Sequence, residues 1–425
     1  MSKTKIIKII TFLGDRGAMQ TTYSYNKNCY IGGVFAEALR LFCKYDTMLV
    51  CVTEKAKTNT WPVLEALQDP RIQAIDIPTG RTTEEMWETF QTITKYVDEG
   101  DGVIFDITHG LRSLPFLVFL FAAYLKAAKN VTIEAIYYGA LELGNKNEGI
   151  PAPVIDLSEF VSMIDWITAT TQFVKIGDGQ ALASLLKSAI PSSEKLKNDP
   201  NTRPLKTQLQ QSAEAIKAIS LALSITRPIE TMEYANKLEE IIKNATTSFA
   251  ERAKPFSLLS DKVVQEYGQF ALNNPKDTTT ITENLCLQLQ MIDWYIKRDK
   301  IVQAVTLARE WLVSILVLNL GLGEHMFDIK KGRDYAEKAL NNATEKRKPE
   351  EKRRPITPSN YDEQFEGLSQ ANELAKVWGT MTGLRNDIAH CGMNLEPQDA
   401  ATLKKKASSL YPRLEKLGES LLPQQ

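Results

Sequence analysis

Over roughly the first 157 residues, short apolar and β-branched runs take turns with longer amphipathic stretches. Runs at Ile6 to Leu13, Met48 to Val52, Ile72 to Ile77, Val103 to Ile107 and Val131 to Tyr138 predict five strands, with Pro153 to Leu157 as one more. Between them, helical patterns fall at Gly33 to Lys44, Thr60 to Leu67, Thr83 to Val97 and Leu114 to Lys129. Such alternation predicts a parallel sheet covered on both faces, a Rossmann-like α/β domain. From Ser158 onward the pattern turns helical almost throughout, with breaks at Pro191 to Pro204 and at Asn273 to Thr280. Three parts result: an α/β domain at 1–157, a helical linker or bundle at 158–280, and an all-α part at 281–425. In the last part, Ile301 to Leu320 has only a thin polar side, which suits the central helix of a bundle or a dimer interface.

Composition changes this picture little. The net charge is −1 with 24% charged residues, so any contact with RNA must come from a local patch or be weak. The five cysteines are scattered with no CxxC pair, which argues for a reducing compartment and against a zinc site. The N-terminus reads as a first strand rather than a signal peptide, and the apolar run Leu114 to Leu125 is too short to span a bilayer. A cytoplasmic protein with no membrane partner is expected.

In an open parallel sheet, ligands bind beyond the carboxyl ends of the strands, so the loops there carry the candidate chemistry. The loop after the first strand, Gly14 to Tyr25, holds glycines, hydroxyls and tyrosines but no GxGxxG fingerprint, which leaves no strong case for a dinucleotide cofactor. The loop after the fourth strand reads Asp106-Ile-Thr-His-Gly-Leu-Arg-Ser-Leu-Pro115. Ser113 is placed as N-cap and Pro115 in the first turn of the next helix, so free backbone N–H groups face Thr108, His109, Gly110 and Arg112. That is a phosphate-binding corner, with Asp106 orienting the loop. The bland alternative is a tight strand-to-helix turn.

At the far end stands Arg385-Asn-Asp-Ile-Ala-His390. A histidine transfers protons near neutral pH and an arginine clamps a phosphate whose charge grows, so together they suit metal-free RNA cleavage by the ribose 2′-OH. On a straight helix, however, Arg385 and His390 diverge by roughly 140°. Either the motif bends at a helix end, with Gly392 as the stop, or two copies of the chain complete the site. The basic run from Lys346 to Arg354, interleaved with Glu350 and Glu351, reads as a solvated loop or as an RNA-guiding patch beside that site.

Taken together, the 106–115 loop, Tyr137-Tyr-Gly-Ala140 and Arg385-Asn-Asp-Ile-Ala-His390 resemble the accessory ribonucleases of type III CRISPR systems, which join a CARF sensor to a HEPN ribonuclease domain. The resemblance covers both ends of the chain, while about 158–280 carries no matching motif. It implies a homodimer or higher homo-oligomer whose CARF parts bind a cyclic oligoadenylate, cyclic tetra-adenylate before the hexamer, as allosteric activator. The matching ligand-binding positions are Thr108, His109, Gly110, Arg112 and Ser113, with Gly14 and Thr22 from the first loop. It also implies an endoribonuclease without metal or cofactor that cuts single-stranded RNA in antiviral defence. His390 is then the acid/base, Arg385 holds the scissile phosphate and Asn386 positions it. Some sensors of this group cleave their own ring, and Thr22 and Thr108 beside His109 leave that open.

Two other classes remain. One is a sensor whose helical part only dimerises or binds a partner. The other is a nucleotide-using metabolic enzyme with a phosphate ester in the 108–113 corner.

Overall fold

The computed structural model describes residues 5–110, 113–200, 202–393 and 395–423. It divides into two compact units, Met1–Asp165 and Trp166–Gln425.

The first unit is built on eight strands: β1 (Ile7–Phe12), β2 (Thr21–Tyr25), β3 (Asn28–Gly32), β4 (Thr47–Val52), β5 (Ile72–Asp76), β6 (Gly102–Asp106), β7 (Thr132–Gly139) and β8 (Ala152–Asp156). They form one sheet in the order β3-β2-β8-β7-β6-β1-β4-β5. The stretch from β7 to β5 is parallel throughout, whereas β8 runs antiparallel to β7. β1, β4 and β6 are buried almost end to end, as expected for strands covered on both faces. Alternate side chains feed two cores. Ile9, Val50 and Ile104 pack with Phe35 and Leu39 of helix Phe35–Phe42. Ile10, Leu49 and Phe105 pack with Ile93 of helix Thr83–Lys95 and with Val118 and Leu125 of helix Leu114–Lys129.

The predicted strands and helices of this unit appear within a few residues of their expected bounds, with one correction. Thr21 to Tyr25 is not loop but β2, the first arm of a hairpin with β3. Its two-residue turn, Asn26-Lys27, has φ of 47° and 68°, the left-handed pair that such a connection needs. β2 then lies parallel to β8, so the hairpin extends the sheet at its far side.

Strand order fixes where a ligand can enter. After the β2–β3 hairpin at the far edge, the chain places β4 and β5 on one side of β1 and then returns to place β6 on the other. Connections on the two sides depart in opposite directions, and a crevice opens between the carboxyl ends of β1 and β6.

The second unit is helical. Its core centres on helix Ile301–Asn319, buried over most of its circumference, with Trp311 inside and its indole Nε1 donating to the Leu285 carbonyl at 2.9 Å. This is the one helix among the described residues long and apolar enough to cross a membrane, and it is packed as a bundle core. Of the two readings of this stretch, the core is the one the packing supports. Around it stand helices Ile281–Lys297, Asp334–Lys346, Ala371–Ala389 and Ala400–Leu421. The single long helix expected over Ile229 to Arg252 is interrupted at Ala245, giving Pro228–Asn244 and Thr246–Arg252.

Candidate functional site

Two places gather the residues singled out by the sequence. The first is the crevice, a cavity of about 680 Å³, inside the range of roughly 300–1,000 Å³ usual for small-ligand sites. Gly14, Thr108, His109, Gly110 and Ser113 all line it. Thr22 does not: it lies within β2, and its neighbour Thr21 borders the cavity instead. Arg112 lies outside the described residues.

The loop after β6 is held from below by Asp106, which has no exposed surface. Its Oδ2 accepts from the Thr11 hydroxyl at 2.5 Å, and its Oδ1 accepts from the Thr108 backbone N–H at 2.7 Å. Burial pushes this carboxyl above the usual range, against the opposing pull of His109 and of these hydrogen bonds. Thr108 is tied in turn to the end of β7, where the Gly139 N–H donates to its Oγ1 at 2.7 Å. A Cβ on Gly139 would stand 3.1 Å from the Tyr23 ring and 3.2 Å from that Oγ1, so the glycine of Tyr137-Tyr-Gly-Ala140 lets β7 approach the loop. Gly110 turns the chain at φ 120°, where other residues are strained. Ser113 stands at the expected cap position, but its side chain makes no capping hydrogen bond. That leaves its hydroxyl uncommitted to the helix.

His109 differs from expectation in what it touches. The Phe35 backbone N–H donates to its Nε2 at 3.3 Å, so the imidazole caps the start of helix Phe35–Phe42 and carries its proton on Nδ1. Burial holds the ring below the ordinary 6.5, outweighing the attraction of Asp106. The sign of the pH effect follows. A depressed pKa means that the neutral ring's contribution to stability is complete above the unfolded value and is lost as pH falls through the folded one. His109→Gln keeps an acceptor for the Phe35 N–H without titrating. It also removes the pull that lowers Asp106, so that carboxyl rises further in the variant and favours it as pH falls, in the same direction. Between pH 7 and pH 5 the wild type should therefore lose more thermal stability than the variant, as read by melting curves at both pH values. Parallel losses would remove this role for His109.

Asp15 to Gly17 of the first loop border the crevice as well, as do two loops not singled out in the sequence: Thr53 after β4, and Pro78 to Gly80 after β5. The last is clamped by Glu85, whose Oε2 accepts from the Thr79 hydroxyl at 3.1 Å and the Arg81 N–H at 2.8 Å.

The second place is the end of helix Ala371–Ala389. Leu374, Val377, Trp378, Met381 and Leu384 form its buried stripe at helical spacing. Arg385 and Asn386 consequently face solvent, joined by a bond of 3.3 Å from the arginine Nη1 to the Asn386 Oδ1. His390 is exposed and is the first residue past the helix, its N–H donating to the Asn386 carbonyl. Cys391 and Gly392 follow with φ of 54° and 69°, and the Gly392 N–H closes on the Asp387 carbonyl at 3.2 Å. The helix does stop at Gly392, but the bend falls after His390, whose N–H still makes the helical bond to Asn386. No hydrogen bond joins the His390 ring to Arg385 or Asn386 among the described residues.

The basic run is not beside this motif. Arg347 forks onto Glu366 and donates to Asn372, at the opposite end of the same helix, about 20 Å from Arg385 at 1.5 Å per residue. Lys346 pairs with Asp362 and Lys348 with Glu345. Half of the run's six cations, Lys346, Arg347 and Lys348, are thus engaged in partly exposed ion pairs.

Residues 162–274, the stretch in which no motif was found, match the family described as CRISPR-associated protein MJ1674, second domain. A curated relative, CRISPR-associated protein MJ1674 of Methanocaldococcus jannaschii, is 33% identical over 119 residues. That match covers 26% of this chain and 18% of the relative. The middle of the chain is thus similar to part of a CRISPR-associated protein.

Proposed function

We propose that the chain is a cyclic oligoadenylate-activated endoribonuclease of type III CRISPR defence, with a CARF-type sensor in the α/β unit and a HEPN-type nuclease in the helical one. The observation that carries the reading is a combination in one chain. A crevice lined by hydroxyl, glycine and imidazole groups stands at the sheet's switch point, and an exposed Arg385-Asn386-His390 motif stands at a helix end. The similarity of 162–274 to a CRISPR-associated protein supports the biological setting.

The chemistry needs few groups. His390 takes the proton of a ribose 2′-OH, the 2′-oxygen attacks the adjacent phosphorus, and the bond to the 5′-oxygen breaks. A proton returned to that 5′-oxygen leaves a 2′,3′-cyclic phosphate on one fragment and a 5′-hydroxyl on the other. Arg385 offsets the charge gathering on the phosphate, and Asn386 orients it. The His390 ring has no bond to Arg385 in one chain, which fits a site completed by the same motif of a second copy. The ring shifts activity only by binding the active arrangement more tightly than the idle one.

The test is cleavage of a fluorescent single-stranded RNA in EDTA, without activator, with cyclic tetra-adenylate and with cyclic hexa-adenylate. Cleavage that requires one of the rings is expected, the tetramer before the hexamer. Tight ring binding with intact RNA would leave a sensor whose helical part binds a partner.

A further inference from the structure

Arg16 sits on the loop after β1 and lines the same crevice as the loop after β6. Its position is built rather than loose. The Thr53 hydroxyl donates to the Asp15 Oδ1 at 2.6 Å, the Asn59 side-chain amide to the Asp15 carbonyl at 2.9 Å, and the Thr60 hydroxyl to the Gly14 carbonyl at 2.6 Å. On the other side Gly17 turns the chain at φ 82°. Arg16 is therefore exposed from a segment pinned immediately before it.

Its charge is also uncommitted. Asp15, the acidic neighbour lining the same cavity, is engaged by Thr53, and no carboxylate pairs with Arg16 among the described residues. Compare Arg347 and Arg333, whose guanidinium groups are held by Glu366 and Glu310. The same cavity is lined by Ser113, whose hydroxyl makes no capping bond, and by Leu114 in the first turn of helix Leu114–Lys129. An unpaired guanidinium from the β1 loop together with hydroxyl and N–H donors from the β6 loop suit a ligand carrying more than one phosphate.

We infer that Arg16 is an anion-recognition residue of the crevice, contacting a phosphodiester of the bound ligand from the β1 side. The inference rests on the crevice reading above and names a residue that reading does not use. Losing one charge-assisted phosphate contact weakens binding about ten- to a hundredfold and lowers the slope of log affinity against log salt by roughly one.

The experiment titrates full-length wild type, Arg16→Ala, Arg16→Gln and the control Lys55→Ala with cyclic tetra-adenylate and with inorganic tripolyphosphate at several salt concentrations. Lys55 is an exposed cation of the same unit that does not line the cavity, and it reports the effect of bulk charge. Weaker binding and a shallower salt slope in both Arg16 variants, with Lys55→Ala unchanged, is the expected result. Wild-type affinity in the Arg16 variants overturns the inference and leaves the crevice reading in place. Arg16-dependent binding of tripolyphosphate without any ring binding keeps the inference and removes the oligoadenylate reading. If neither compound binds the wild type, both fall.

Discussion

His390→Ala is expected to lose RNA cleavage by about a hundred- to ten-thousandfold while binding cyclic tetra-adenylate as the wild type does. The size follows from the role, since a positioned acid/base contributes about 10²–10⁴ in rate. Its selectivity follows from the structure: the ring is exposed at the end of a helix, so its removal opens no cavity, and it belongs to a different compact unit from the crevice. Arg385→Lys keeps the charge but not the planar fork, and should retain more activity than Arg385→Ala. Single-turnover cleavage of the reporter under saturating ring, beside a direct binding titration, checks both halves. An alanine variant that cleaves within tenfold of wild type would make the motif structural.

How far the sequence alone reaches can be judged from particular elements. β1, β4 and β6 announce themselves because strands buried on both faces read as nearly unbroken apolar runs, whereas β5 and β7 keep exposed positions and are legible from their isoleucines between turn residues. The β2–β3 hairpin is silent for two physical reasons. Thr-Thr-Tyr-Ser-Tyr is polar enough to pass for a loop, and its turn is Asn-Lys without the glycine that usually marks such a connection. Placing Thr22 in a ligand loop follows from that miss. Gly14, Thr108, His109, Gly110 and Ser113 were legible because the loops after the first and fourth strands border the switch point in any Rossmann-like order. Thr53 and Thr79 were not, because only the observed order of β4 and β5 brings their loops to the same crevice. Likewise the helix stop at Gly392 was readable from one residue. The distance between the basic run and Arg385 was not, because it depends on which end of helix Ala371–Ala389 receives Arg347.

Asp106→Ala should destabilise the α/β unit by roughly 2–5 kcal/mol, and Asp106→Asn by far less. Alanine leaves two donors, the Thr11 hydroxyl and the Thr108 N–H, unanswered in a place with no solvent. Asparagine can answer both. Its Oδ1 accepts from the Thr108 N–H, and its amide donates to Thr11 once that hydroxyl turns round. Because burial raises the Asp106 carboxyl, the fold favours its neutral form, which asparagine resembles. The sign is again fixed: a raised pKa gives stability that is present at low pH and lost as pH rises through the folded value, so the wild type should fall relative to Asp106→Asn on going from pH 4 to pH 7. Hydrogen exchange of peptides covering β1 and β6 reads the local opening directly. Wild-type protection in Asp106→Ala would show that the two donors find other partners. An asparagine variant as unstable as the alanine one would mean that the charge itself holds the loop. In that case the anchor beneath Thr108 is an ionised carboxylate facing His109, and the crevice carries a negative charge that any phosphate ligand has to overcome.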